Sequence, residues 1–135
     1  MEPNSNSIRF HKDGTLPQNG EIFVFGSNYP RGIHGAGAAK VALNYGAKMG
    51  IGVGLVGRSY AIPTKNIRIE TIPLSEVEKY VADFVEFAQA NPDKQFFLTA
   101  IGTQLAGFSH AEIAPLFAPA LPNINYPDCW ERYLT

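Results

Sequence analysis

The segment that most constrains this chain is Gly26-Ser-Asn-Tyr-Pro-Arg-Gly-Ile-His-Gly-Ala-Gly37. It lies between an apolar run, Glu21-Ile-Phe-Val-Phe25, and an alanine-rich stretch, Ala38-Ala-Lys-Val-Ala-Leu-Asn-Tyr45. The apolar run reads as a buried central strand, and the stretch from Gly37 to about Lys48 as a helix. A strand, a glycine-rich loop and a helix start together can hold a phosphate. Small residues let backbone N–H groups approach an anion, and the helix N-terminus adds unbonded donors and a favourable dipole. The same glycines also suit a tight turn that needs positive φ.

A second segment repeats the pattern. Gln95-Phe-Phe-Leu-Thr-Ala-Ile101 reads as a strand, and Ile101-Gly-Thr-Gln-Leu-Ala-Gly107 as a glycine loop. Ser109 and Glu112 then have the spacing of a capping box opening a helix. In an open α/β sheet such loops gather at the carboxyl ends of the strands, where ligands bind. The strands near 21–26 and 95–101 are therefore expected to be central neighbours, with both loops on one sheet edge.

The remaining elements follow from periodicity and punctuation. Ile8-Arg-Phe-His11 alternates and reads as an edge strand, followed by the turn signal Lys12-Asp-Gly-Thr15. Gly52, Gly54 and Gly57 spell G-x-G-x-x-G. The residues that follow, Arg58-Ser-Tyr-Ala-Ile62, read as a strand, so the helix that a dinucleotide fingerprint requires is missing. A short strand is expected over Ser59 to Pro63, and a further strand or loop over Ile67 to Ile72. Ser75 to Ala90 is the clearest helix: Ser75 and Glu78 have capping-box spacing, and Val77, Tyr80, Val81, Phe84, Val85 and Ala88 keep the helical period. A helix from about Ser109 to Ala120 contains Pro115, which should shorten or kink it. Asn123 to Tyr126 reads as the last strand. The expected fold is α/β, with a mixed, mostly parallel sheet and helices on both faces. One domain is expected over residues 8–135, behind a flexible N-terminus at 1–7.

Composition narrows the function classes. A chain of 135 residues with 45% hydrophobic residues is long enough for one self-supporting core. A net charge of −1 gives no footprint for DNA or RNA. The single cysteine, Cys129, precludes an internal disulfide framework and fits a reducing compartment. It has no basic cluster to activate it and reads as inert. The three histidines and this cysteine lack metal-ligand spacing, so no metal is expected. No apolar run approaches the ~20 residues of a membrane span. The first residues are polar and do not resemble a signal peptide. A cytoplasmic protein without membrane partners is the expectation.

Taken in order, the motifs from about residue 8 to 126 resemble a macrodomain, the ADP-ribose-binding α/β fold. The branch typified by terminal ADP-ribose protein glycohydrolase is the nearest. Ala100-Ile-Gly-Thr-Gln-Leu-Ala-Gly-Phe-Ser-His-Ala-Glu-Ile-Ala-Pro-Leu-Phe117 resembles the family's strand, I-G-x-G-L-x-G loop and helix. Gly35-Ala-Gly-Ala-Ala39 resembles its first glycine loop, and Ser59-Tyr-Ala-Ile-Pro-Thr-Lys65 the strand that ends in Thr-Lys.

The resemblance implies a three-layer α/β/α fold and a set of roles. Gly35, Ala36 and Gly37 would contact the diphosphate and distal ribose. Gly102, Thr103, Gln104, Leu105, Ala106 and Gly107 would wrap the distal ribose and phosphate. Asp13 would hold the adenine amino group, and Lys65 would attack C1″ of the distal ribose. There are departures: Thr103-Gln104 replaces the usual Cys/Thr-Gly, Asp13-Gly14 reverses the usual Gly-Asp, and Ala106 stands where the glycohydrolases have a catalytic aspartate. These weaken hydrolysis more than binding.

Each candidate also has a plain structural reading. Lys65 is a nucleophile only if its amine is deprotonated by burial or a neighbouring cation; otherwise it is a surface lysine after a proline turn. His34 either donates to a phosphate or sits over the distal ribose, where it is the second candidate catalytic residue beside Lys65, or it is an exposed turn residue. Ser27 and Asn28 either meet ribose hydroxyls or cap a turn. Phe108 stacks on a ribose or base, or staples the helix behind Ser109. Tyr29 and Tyr126 are alternative aromatic walls, and His110 reads as a helix-start residue. The reading is a binding module for ADP-ribose or a related NAD-derived nucleotide, needing no cofactor, with an ADP-ribosylated protein as a further partner. The alternative is an ADP-ribosyl hydrolase acting on ester linkages through Lys65. An interaction domain that has lost its pocket fits poorly with two intact glycine loops. Oxidoreduction fits poorly with the short chain and the misplaced G-x-G-x-x-G.

Overall fold

The computed structural model describes residues 8–12, 14–18, 20–28, 37–66, 68, 70–103 and 106–134. Among these residues six strands form one sheet: β1 (Arg9–His11), β2 (Glu21–Asn28), β3 (Gly54–Val56), β4 (Ser59–Lys65), β5 (Gln95–Leu98) and β6 (Ile124–Pro127). Their order is β1-β6-β5-β2-β4-β3. Every neighbouring pair is parallel except β3 with β4. The helices are α1 (Gly37–Ala42), α2 (Leu74–Ala90), α3 (His110–Ile113) and α4 (Glu131–Leu134). The chain is thus α/β with a mixed, mostly parallel sheet, and β2 and β5 are adjacent at its centre.

The continuous apolar run of β2 is explained by burial on both faces. Ile22 and Val24 join Tyr60, Ile62, Phe96 and Leu98 in a core closed by Val77, Val81, Phe84 and Ala88 of α2. Phe23 and Phe25, on the opposite face, join Ala61 and Phe97 under Ala38, Val41 and Ala42 of α1. The first core is rich in rings: Phe84 meets Phe96 edge-on at 5.3 Å and 89°. Burying each such side chain contributes about 1.5–3 kcal/mol.

Glu21 opens β2 only 4% exposed, yet its carboxylate is satisfied. It accepts from Arg9 Nη1 at 3.3 Å, from the Gln18 N–H at 2.7 Å and from Asn125 Nδ2 at 3.4 Å. Those bonds join β1, β2 and β6 on the face that α1 only partly covers.

Several elements differ from expectation. The Ser75–Glu78 box does not form. Pro73, with φ −57°, is the N-cap of α2 and no side chain caps it, which places Ser75 already inside the helix. β5 stops at Leu98, where the Thr99 N–H makes the last ladder bond to Val24 O at 3.1 Å and the Thr99 hydroxyl donates to the same oxygen at 2.8 Å. α1 is shorter than expected and passes into a 3-10 turn, Leu43–Tyr45. α3 ends at Ile113 and continues as a 3-10 turn over Ala114–Phe117, because Pro115 has no N–H to extend an α-helix. The stretch 67–72 contributes no named strand among the described residues; Thr71 alone bridges Lys65. The glycine run at 50–57 holds β3, which turns back into β4, and no helix follows it.

Candidate functional site

Because β1, β6, β5, β2 and β4 run parallel, their carboxyl ends share one sheet edge. At that edge β1 leads into the Lys12–Thr15 turn, where the Thr15 hydroxyl donates to Lys12 O at 2.6 Å. The residues after β2 lead to Gly37, where α1 begins. β4 ends at Lys65, and β5 runs into the second glycine loop.

The ends of β2 and β4 are tied together. Asn28 stands opposite Lys65, beyond a register shift at Ser27. Ser27 and Asn28 are each 5% exposed. The Ser27 hydroxyl donates to Gly52 O, and Thr64 Oγ1 donates to Ser27 O at 3.4 Å. Ser27 therefore holds the segment that leads into β3 against β2. Lys65 is half-buried, and no carboxylate pairs with it among the described residues.

The second loop has a defined shape. Gly102 adopts φ +75°, and a Cβ there would lie 3.3 Å from Ile113 Cδ1 and 3.4 Å from Phe108 Cδ2. Only glycine fits without strain. The Phe108 N–H returns to Gly102 O at 2.8 Å, and the Thr103 hydroxyl donates to Ala100 O at 2.7 Å. Phe108 packs partly buried against the larger core. Thr71, from the segment after β4, donates its hydroxyl to Ala106 O at 2.7 Å. The N–H groups of Gly102, Ala106 and Gly107 make no hydrogen bond among the described residues. The capping box beyond the loop is complete: Ser109 Oγ accepts the Glu112 N–H at 3.1 Å, and Glu112 Oε1 accepts the Ser109 N–H at 2.8 Å.

The structure thus brings Ser27, Asn28, Lys65, Gly102, Thr103, Ala106, Gly107 and Phe108 to one edge, with Gly37 at the start of α1. Asp13, Tyr29, His34, Gly35, Ala36, Gln104 and Leu105 lie outside the described residues. Tyr126 is not an aromatic wall. It is fully buried, its hydroxyl accepts the Leu121 N–H at 2.8 Å, and burial pushes its pKa up to about 12. His110 opens α3 as expected, and its Nδ1 accepts the indole N–H of Trp130 at 2.8 Å. Cys129 Sγ lies 4.0 Å from the same nitrogen, a neighbourhood invisible in sequence. Thr71 was hidden in a stretch that reads as strand or loop, and no local signal marks its contact with residue 106.

A cleft of about 480 Å³ opens at the other edge, lined by Gly20, Ile22, Leu55, Arg58, Lys94 and neighbours. It sits at the amino ends of β2, β4 and β5. Parallel sheets of this kind bind ligands outside the carboxyl ends, so the loop edge is the candidate site. Among the described residues no helix is long and apolar enough to cross a membrane. No known protein-family model, curated protein or solved structure matches the chain.

Proposed function

We propose that this protein binds ADP-ribose or a related NAD-derived nucleotide at the carboxyl edge of its sheet, in a macrodomain-like three-layer arrangement. The observation that carries the reading is that, among the described residues, the N–H donors of Gly102, Ala106 and Gly107 are unbonded on the same edge as Lys65, a half-buried cation with which no described carboxylate pairs. Backbone donors and one cation suit a diphosphate, whose charge is spread over several oxygens. In this reading Gly35, Ala36 and Gly37 complete the cradle, Asp13 takes the adenine amino group, and Asn28 and His34 face the ribose. Thr103, Gln104, Leu105 and Phe108 enclose the distal sugar. The working compartment is the cytoplasm.

Binding is favoured over catalysis because, among the described residues, no carboxylate pairs with Lys65 to serve as its general acid. Ala106 has no carboxylate, Glu112 accepts from the Ser109 N–H, and Glu70 Oε1 accepts from Asn66 Nδ2 at 3.0 Å. A lysine nucleophile without an acid partner can release only a good leaving group. The second reading is therefore slow hydrolysis of ester-linked ADP-ribose through Lys65, which stands at the carboxyl end of β4 opposite Asn28.

Calorimetric titration with ADP-ribose, NAD, AMP and ribose 5-phosphate tests the proposal. ADP-ribose should bind more tightly than AMP or ribose 5-phosphate. Absence of binding by both diphosphate ligands overturns it.

A further inference from the structure

We propose that Thr71 is a positioning residue for the anion cradle: its hydroxyl fixes the Ala106–Gly107 peptide so that the Gly107 N–H is held ready for a phosphate oxygen. The inference rests on the nucleotide-binding reading above.

Thr71 is itself exposed, but its backbone is anchored on three sides. It bridges Lys65 at the end of β4 in antiparallel fashion. The next residue, Ile72, is 8% exposed in the larger core, and its N–H bonds Thr64 O at 3.0 Å. The turn before it is closed on itself: the Asn66 N–H meets Glu70 O at 2.8 Å, and Asn66 Oδ1 accepts the N–H groups of Arg68 and Glu70 at 2.9 and 3.0 Å.

From this fixed point the hydroxyl donates to Ala106 O at 2.7 Å, reaching a loop 35 residues away in the chain. A trans peptide is planar, with its C=O and N–H pointing in opposite directions. Holding the Ala106 carbonyl toward Thr71 therefore aims the Gly107 N–H away from it, and no described group takes up that N–H. Water could satisfy a loop carbonyl equally well, so the consequence of the bond is orientation more than net stability. Without it, the peptide next to Gly107 can rotate, and a ligand must reorder the loop before the N–H can serve it.

The test compares wild type with Thr71→Val, which is nearly isosteric but cannot donate, and Thr71→Ser, which restores the hydroxyl. Each is titrated with ADP-ribose and inorganic pyrophosphate, melted, and examined by the amide resonance of Gly107 without ligand. Loss of one orienting hydrogen bond should weaken both ligands roughly three- to tenfold in Thr71→Val. Thr71→Ser should recover the affinity, and the Gly107 resonance should shift and return in parallel at similar melting temperatures. Wild-type affinity in Thr71→Val overturns the positioning role and leaves the binding reading standing. An affinity loss that serine does not rescue, or that tracks a lowered melting temperature, assigns Thr71 to packing and overturns the proposal. If wild type binds neither ligand, the nucleotide reading fails and this inference with it, even where the Gly107 resonance moves.

Discussion

Lys65 stands opposite Asn28 at the last paired position of β4 and β2, beyond a shift in register. That position brings a half-buried cation to the edge where the Gly102, Ala106 and Gly107 N–H groups are unbonded among the described residues. Removing the charge while keeping a polar side chain, Lys65→Gln, should weaken ADP-ribose about tenfold, since a hydrogen bond to a charged group contributes about 1.5–3 kcal/mol. The loss should shrink as salt is raised, because screening already weakens the wild-type contact. Titrations at low and high ionic strength check this; equal affinities at both would mean that Lys65 only faces water.

Gly102 tests the shape of the loop independently of its charge. Gly102→Ala forces a side chain onto φ +75° and against Ile113 and Phe108. The cost should be about 1–3 kcal/mol, measured by urea unfolding. ADP-ribose affinity should fall as well, since Phe108 and the loop must move. Unfolding identical to wild type would show that the loop relaxes freely.

His110 and Trp130 form a second testable pair, on α3 and in the turn that precedes α4. The indole is fully buried and donates to His110 Nδ1 at 2.8 Å. His110→Ala strands that N–H and should cost about 1–3 kcal/mol, whereas His110→Gln supplies another acceptor and should cost less. Trp130 is the chain's single tryptophan, so intrinsic fluorescence reports on this site alone. Equal melting temperatures for the two variants would show that the bond is replaced by water.

Tyr126 sets an alkaline limit. Burial raises its pKa to about 12 in the folded protein, against 10.0 as the ordinary value. The folded state then holds the proton more tightly than the unfolded chain. Its contribution is complete below pH 10 and is lost as pH rises from about 10 to 12, amounting to about 3 kcal/mol. Denaturant unfolding between pH 9 and about pH 11.5 should show the fall. Tyr126→Phe should flatten it, at the cost of leaving the Leu121 N–H without its acceptor. An unchanged slope in that variant assigns the alkaline limb to other groups.

The parts of the fold legible in sequence are those set by local chemistry. The apolar runs at 21–25 and 95–101 supplied the central strands, the second ending early at Leu98, and Ser109 and Glu112 form their reciprocal box. The adjacency of β2 and β5 follows from having two strands buried on both faces. Where local signals competed, the sequence misled. Pro73 took the cap that Ser75 and Glu78 advertised, and Pro115 cut α3 to one turn. β3 was unreadable because it is only three residues long inside the glycine-dense stretch 50–57, and it is held as a strand by its antiparallel pairing with β4. In the site, Lys65, Asn28 and the second loop were legible as residue types following strands. The Thr71–Ala106 bond and the His110–Trp130 bond were not, since each joins segments that carry no mark of each other.

The pairing of β1 with β6 has a kinetic meaning. Arg9 meets Asn125 and Phe10 meets Tyr126, so the first strand of the chain finds its neighbour only in the last. Closing so long a loop is unrewarded until the intervening strands have already assembled. A nucleus built from β2, β4 and α2 has shorter loops to close, and loop-closure entropy therefore predicts that the β1 edge docks onto it late. In the folded chain Arg9 Nη1 pairs with Glu21 Oε2 at 3.3 Å, which ties the same edge strand to the centre through a loop much shorter than the one its ladder closes.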